Sequence, residues 1–239
     1  MTVSTSKDPA RIAGMFDEIA GRYDFLNHAL SAGLDRGWRR RAIRELGLTG
    51  RERLVDLCTG TGDLAIEAVT SPRGAARDVV GLDFSGQMLQ LGLAKLRRLG
   101  LDSRVRLARA DAMRLPLPDA SCDVATVAFG IRNVADPFVA CREVSRVLRP
   151  GGRFAVLEFG IPSMPVVGPL YRWYFRSVLP VIGGLVSRHR DAYAYLPASV
   201  DAFPSPPEFA RGLTSSGFRT VRTVPLAIGA VYLYIAERA

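Results

Sequence analysis

At 239 residues the chain can build one sizeable core, and a hydrophobic fraction of 48% with 23% charged residues describes a globular protein without collagenous, repetitive or broadly disordered character. Its net charge of +9 suits nucleic acid, an anionic membrane surface or acidic ligands, and does not choose among them. Cys58, Cys122 and Cys141 are odd in number, widely spaced and without a CxxC pair, which argues against a disulfide framework and against a zinc site, so no metal is expected.

The first ten residues, MTVSTSKDPA, are expected to be disordered; they lack a basic segment followed by an apolar one, so no secretory signal is read and a cytoplasmic protein is expected. The rest, 11–239, reads as a single domain. Residues 11–46 carry apolar positions at helical spacing with an interruption from Ser31 to Gly37, which predicts short helices forming an N-terminal cap over 11–50. After Gly50 short apolar runs alternate with helical stretches: RLVDLC, a helix from about Leu64, DVVGLDF, a helix around 86–98, RVRLARAD, CDVATVAF, a helix around 137–148, the turn RPGG at 149–152, and RFAVLEF. Strands this continuously apolar belong in a parallel sheet covered on both faces. FRTVRTVPL and GAVYLYIAER are joined by a turn too short for a helical crossover, which predicts an antiparallel C-terminal hairpin and a seven-stranded, mostly parallel α/β sheet.

In such a sheet ligands bind beyond the carboxyl ends of the strands, and VDLCTGTGDLAIE places a glycine loop after the first one. Gly60 and Gly62 let the backbone turn tightly and approach a ligand closely. No Gly-Lys-Ser/Thr follows, and the full GxGxxG spacing is missing, so nucleoside triphosphates and NAD are disfavoured. Asp83 ends the second strand, where a carboxylate can accept hydrogen bonds from both ribose hydroxyls, and Asp111 follows the third; one nucleoside could touch all three strand ends.

This arrangement resembles the class I S-adenosylmethionine-dependent methyltransferases, with their Rossmann-like fold, although Cys58 stands where their loop usually has its first glycine. More closely, FDEIAGRYDFLN, LDRGWRR, DLCTGTGD, FGIRNV, LRPGGRFAVLEF and the FP of DAFP resemble the ubiquinone/menaquinone biosynthesis C-methyltransferase family from about Met15 to the end. In that family a small non-glycine residue before GTGD is usual, and Cys58 is read as a small buried residue. The resemblance implies S-adenosyl-L-methionine as cofactor, contacted by Thr61, Asp83, Asp111 and Ala112. Where some relatives have serine before FGxRN this chain has Ala128, which leaves backbone or apolar contact only. It also implies methylation of a ring carbon on a polyprenylated hydroquinone such as demethylmenaquinol, with the ubiquinone-pathway quinol as the alternative.

An aromatic carbon attacks a sulfonium methyl readily only once an adjacent hydroxyl has lost its proton, so the site must favour a phenolate. Arg132 and Asn133 follow the fourth strand, where a guanidinium could stabilise the oxyanion in preference to serving a structural ion pair. His189 has an intrinsic pKa suited to proton transfer, against the alternative of a solvated basic segment. Tyr23 and Asn27, at i, i+4 spacing, are placed to cover the cofactor and touch the substrate. Tyr195 and Ser199 share that spacing and are candidate substrate contacts, though Pro197 argues against a regular helix there. Glu158, at the ligand edge of the sheet, could hold a hydroxyl or an arginine.

Residues 161–190 mix Tyr171, Trp173 and Tyr174 with arginines and are broken by Pro169 and Pro180, so they are not a spanning helix; they suit a substrate lid, within an insertion at 161–205, that makes transient peripheral contact with the membrane. The alternative is an insertion packed on the sheet without touching lipid. A nucleic-acid methyltransferase, which the WRRR run would suit, lacks an Asn-Pro-Pro-Tyr or Pro-Cys motif after the fourth strand, and a noncatalytic cofactor-binding protein would not need the FGIRN and FP segments. The sequence leaves monomer and homodimer open.

Overall fold

Burial on both faces is what the apolar runs require, and the computed structural model, which describes residues 8–162, 164–165, 168–169 and 190–239, supplies it through a seven-stranded sheet. The strands are β1 Arg53–Leu57, β2 Asp78–Asp83, β3 Val105–Arg109, β4 Cys122–Ala128, β5 Leu148–Phe159, β6 Phe218–Leu226 and β7 Val231–Arg238, in the order β3-β2-β1-β4-β5-β7-β6. β1 to β5 are parallel to one another, and β7 enters antiparallel between β5 and β6. The chain leaves β1 toward one side for β2 and returns on the other side as β4, so the crevice between the ends of β1 and β4 is the topological switch point where open α/β sheets bind ligands.

Seven helices flank the sheet among the described residues: α1 Pro9–Leu30, α2 Leu34–Leu46, α3 Asp63–Thr70, α4 Gly86–Leu99, α5 Pro137–Val147, α6 Arg190–Asp201 and α7 Pro206–Ser215. Alternation along β1 sorts the core: Leu54 packs with Ile43 and Leu46 of α2 and Ala65 and Ala68 of α3, while Val55 and Leu57 pack with Val144 of α5 and Phe209 and Leu213 of α7. Ser85 caps α4 by accepting from the Met88 amide at 3.1 Å, and Asp136 caps α5 by accepting from the Phe138 amide at 2.8 Å.

The predicted strands and their order stand, and four local expectations are corrected. Pro9 and Ala10, expected to be disordered, begin α1, and the interruption predicted for Ser31–Gly37 is only the turn at 31–33, closed by Gly33 at φ 77°. The RPGG segment is no separate turn. Its residues are a bulge inside β5, which pairs Leu148 with Cys122 and then jumps to Arg153 opposite Val124. α6 runs through Pro197 despite the amide that residue lacks, because Tyr195, Ser199 and Val200 on either side are buried and Val200 packs on Phe159 and Ile161. α7 has no counterpart among the expected elements; Ser205 and Glu208 form a capping box and Pro206 sits in the first turn, where it needs no amide. Of the expected insertion at 161–205, residues 163, 166–167 and 170–189 lie outside the described residues, and with them His189, Tyr171, Trp173 and Tyr174. No helix among the described residues is long and apolar enough to cross a membrane.

A β-carbon on Gly212 would collide with the Phe138 ring, so the glycine is what lets α7 lie against α5. Gly212→Ala is expected to lower unfolding free energy by about 1–3 kcal/mol through overpacking, read by urea denaturation; an unchanged midpoint would contradict this packing account.

Candidate active site

Between β1 and α3 the chain must reverse within five residues, and it does so with Cys58 (φ 49°), Gly60 (φ 57°) and Gly62 (φ 84°) all in the left-handed region. Glycine adopts that region freely; Cys58 does so only because the loop is pinned on both sides. The Thr59 amide donates to the Leu82 carbonyl at 3.0 Å, the Thr59 hydroxyl to Asp56 at 2.6 Å, and the Gly60 amide to Asp83 at 2.8 Å. Gly130 completes the fit from the β4 side, since a β-carbon there would overlap that of Cys58.

Two carboxylates, Asp56 fully buried and Asp83 half-buried, do the pinning. Asp56, on β1 beneath the loop, accepts from Thr59 on one oxygen and from Thr126 of β4 at 2.6 Å on the other. Burial, reinforced by the charge of Asp83, pushes its pKa up to about 6 against the pull of those two hydroxyls. Asp83 ends β2 and accepts the Gly60 amide on one oxygen and the Ser85 amide, at 2.8 Å, on the other; burial raises its pKa while these amides oppose the rise. Burial and the charges of Asp83 and Asp56 raise the Cys58 thiol well above its ordinary value, so Cys58 is a small strained loop residue and not a nucleophile at neutral pH.

Over this loop lies a cleft, open at its mouth and lined mostly by apolar side chains, as small-molecule sites usually are. The structure brings Gly60, Asp83, Asp111, Ala112, Ala128 and Asn133 together on its walls, with Leu82, Met88, Met113 and Val134 as apolar surface. Asp111 is held by the Met113 amide at 2.8 Å. Asn133 Oδ1 is buried with no hydrogen-bond partner among the described residues, as expected of a group awaiting a ligand. Each Asp83 oxygen carries one backbone bond and keeps a further lone pair, so the donor set fits a ligand with two adjacent hydroxyls, such as the ribose of S-adenosylmethionine beside an apolar slot for its base. No cluster of potential metal ligands occurs among the described residues.

Thr61 and Asn27 line a smaller neighbouring recess beneath the loop, together with Arg39 and Asp63. The Thr61 hydroxyl donates to Asp24 of α1 at 2.6 Å and accepts from Lys95 of α4 at 3.0 Å, so its side chain holds helices together and does not line the main cleft. Tyr23 lies on α1, but its side chain is outside the described portion.

On the other side of the cleft, Arg132 sits in the one-turn helix Ile131–Asn133 and is buried. The sequence favours an oxyanion role over a structural ion pair, but the structure makes the ion pair. Arg132 Nη1 meets Glu158 Oε1 at 2.9 Å, the Arg132 amide donates to Glu158 Oε2 at 3.2 Å, and Nη1 also donates to the Phe129 carbonyl. Glu158 therefore holds an arginine and not a substrate hydroxyl. Arg132 Nε donates at 3.3 Å to Ser199 of α6, and the guanidinium lies 5.3 Å over the Phe159 ring. Tyr195, one turn before Ser199, is buried with its hydroxyl unpartnered among the described residues. Arg132, Glu158 and Ser199, distant in sequence, thus form one group, with Asn133 next to Arg132 on the cleft wall. The specific pairs Arg132–Glu158, Asp24–Lys95 and Asp24–Thr61 left no signal in the sequence, because each joins positions at least 26 apart that only the tertiary fold brings together.

The model of the ubiE/COQ5 methyltransferase family matches residues 2–238. The "Ubiquinone/menaquinone biosynthesis C-methyltransferase UbiE" of Syntrophotalea carbinolica is 51% identical over 94% of this chain and 93% of its own length. The "Demethylmenaquinone methyltransferase" of Thermus thermophilus is 46% identical over 94% of this chain and 100% of its own. A SAM-dependent methyltransferase structure from Thermotoga maritima superposes with a TM-score of 0.65 at 19% identity, covering 95% of this chain and 100% of that one, which shows the shared class I fold.

Native Asp56 holds its proton more tightly than the unfolded chain does, so its contribution to stability is fully present below pH 3.8 and is lost as pH rises through about 6. Relative to Asp56→Asn, which stays neutral, wild-type stability is expected to fall by an amount of the order of 3 kcal/mol across that window. Urea unfolding of both proteins at several pH values reads the difference, and a difference independent of pH would contradict it.

Proposed function

Because the chain belongs to the ubiE/COQ5 methyltransferase family, and is therefore an S-adenosylmethionine-dependent C-methyltransferase of quinone biosynthesis, we propose that its acceptor is demethylmenaquinol and that the cleft over the glycine loop is where the methyl group moves. What carries the reading is Asp83, a half-buried carboxylate at the ligand edge of the sheet whose two oxygens are oriented by the Gly60 and Ser85 amides and retain acceptor capacity toward the cleft. The menaquinone branch is supported by the names of relatives such as the Thermus protein and by the AFGIRN and DLCTGTGD segments; methylation of the ubiquinone-pathway quinol is the second reading, supported by the double name of the Syntrophotalea relative.

S-adenosylmethionine supplies an electrophilic methyl on a sulfonium centre. In this proposal Asp83 binds the ribose hydroxyls, Asp111 and Ala112 flank the base, Ala128 gives apolar contact, and Gly60, Thr61 and Gly62 present the loop backbone. The acceptor hydroxyl must lose its proton before its ring carbon can attack, and Asn133 Oδ1 is placed to orient it. Glu158 compensates the net charge of Arg132, so Arg132 contributes through directed N–H groups held in place by Glu158 and Ser199, more than as a free cation. Tyr195 and Ser199 are assigned to the acceptor side, and Tyr23 and Asn27 of α1 to contact with the substrate. His189, outside the described residues, is the proton acceptor proposed from the sequence. A tethered prenyl tail would bring residues 161–190 to the membrane surface, which is the contact proposed for that segment.

Purified protein would be incubated with methyl-labelled S-adenosylmethionine and chemically reduced demethylmenaquinone, a reduced ubiquinone precursor, or bulk RNA. Label in the naphthoquinol alone is the expected result; label in both quinols would mean a shared enzyme, and label confined to RNA would overturn the acceptor assignment. Arg132→Lys, which keeps the charge but loses the fork, is expected to lower kcat by about 100-fold with KM for the cofactor little changed. An unchanged kcat would remove Arg132 from the acceptor site.

A further inference from the structure

We propose that Asp17 and Asp24 are latches that hold α1 closed over the cofactor cleft, so that the cofactor exchanges only when both release. The inference rests on the reading of that cleft as the S-adenosylmethionine site. Ile12, Ala13 and Phe16, on one face of α1, form a wall of the cleft. The same face continues with Asp17 and, seven residues or two turns later, Asp24.

Asp17 is set on the first turn of α4. It accepts from the Ser85 hydroxyl and from the Gln87 amide at 3.2 Å, at a helix terminus whose free amides and dipole favour an anion. Ser85 is also the residue whose amide orients Asp83, so this latch bears on the ribose-binding carboxylate itself. Asp24 is set deeper along α4. It accepts from Thr61 of the glycine loop and from Lys95, and Lys95 also donates to Asp63 at 2.7 Å and to Thr61 at 3.0 Å. One ammonium thus ties α1, the glycine loop, α3 and α4 together.

Asp17 and Asp24 tie α1 to the elements around the cleft at two points two turns apart. Among the described side chains of α1, Ala13 and Ala20 are buried, and neither belongs to the cores on the two sheet faces. The Asp24 side chain is 42% exposed, so its ion pair is of the weak, water-accessible kind that opens readily. A wall fastened this way closes the cleft without locking it.

The test is the binding kinetics of S-adenosylhomocysteine, followed by stopped flow or surface plasmon resonance, for wild type and Asp17→Ala/Asp24→Ala. A gate predicts that association and dissociation rates both rise, by roughly tenfold, while Kd moves far less. Lys95→Met is expected to raise both rates in the same way and to add little to Asp24→Ala, because the two residues form one latch. Hydrogen exchange supplies the check on folding: in the ligand-free double variant, α1 amides lose protection while those of β1 and β4 keep theirs. A raised dissociation rate with unchanged association would overturn the gate by making the two acids part of the bound site, and rates unmoved by the substitutions would overturn it outright. Wild-type protein that bound no S-adenosylhomocysteine would overturn the cofactor reading and the gate with it.

Discussion

Everything at the ligand edge of this sheet depends on one geometric demand, that the chain leave β1 and enter α3 within five residues while keeping its backbone against β2 and β4. Three left-handed residues meet the demand, and a conformation so unfavourable for Cys58 persists because Asp56 below and Asp83 beside the loop bind its hydroxyl and amide groups. Asp56 is fully buried and Asp83 half-buried, and burial raises the pKa of both. Asp56, which accepts from Thr59 and Thr126, holds the loop to β1 and β4. Asp83 stands on the wall of the main cleft, where its oxygens can accept further bonds. Two acids of the same type, on neighbouring strands, differ in whether the cleft reaches them.

The acceptor side is built on the opposite principle. Arg132 and Glu158 neutralise each other in a buried pair, and a pair of that kind adds little net stability while fixing direction well. The pair orients Arg132 toward Ser199 and so ties the turn after β4 to α6, which carries Tyr195. The loop, β2 and the Arg132 turn are embedded in the sheet's cores, whereas α1 is tied to them through the acids Asp17 and Asp24. Exchange of ligands through the loosely held wall leaves the embedded groups undisturbed.

Much of this was legible before any coordinates. The five parallel strands announced themselves because burial on both faces demands unbroken apolar runs, and the hairpin because its connection is too short to cross over. Gly60, Asp83, Asp111 and Asn133 could be placed on the cleft wall because a strand's carboxyl end is a place that sequence order alone defines, and Ala112 through the family resemblance. α7 is absent from the expected elements, although the Ser205-to-Glu208 spacing marks a helix start. The pairing of Arg132 with Glu158 could not be read, since it requires knowing that β4 and β5 are neighbours with Ala128 opposite Leu157. The same holds for Lys95, a lysine in an ordinary amphipathic helix until α1 brings Asp24 to it.

The central claim is that Asp83 and the glycine loop form the binding site for S-adenosylmethionine. Isothermal titration of S-adenosylhomocysteine into wild type and Asp83→Ala, with equal heat-unfolding profiles as the control for folding, tests it most directly. Loss of a charged acceptor from two ribose hydroxyls predicts an affinity at least about tenfold weaker. Equal affinity in the two proteins would contradict the account, because the cofactor would then have to bind away from the end of β2.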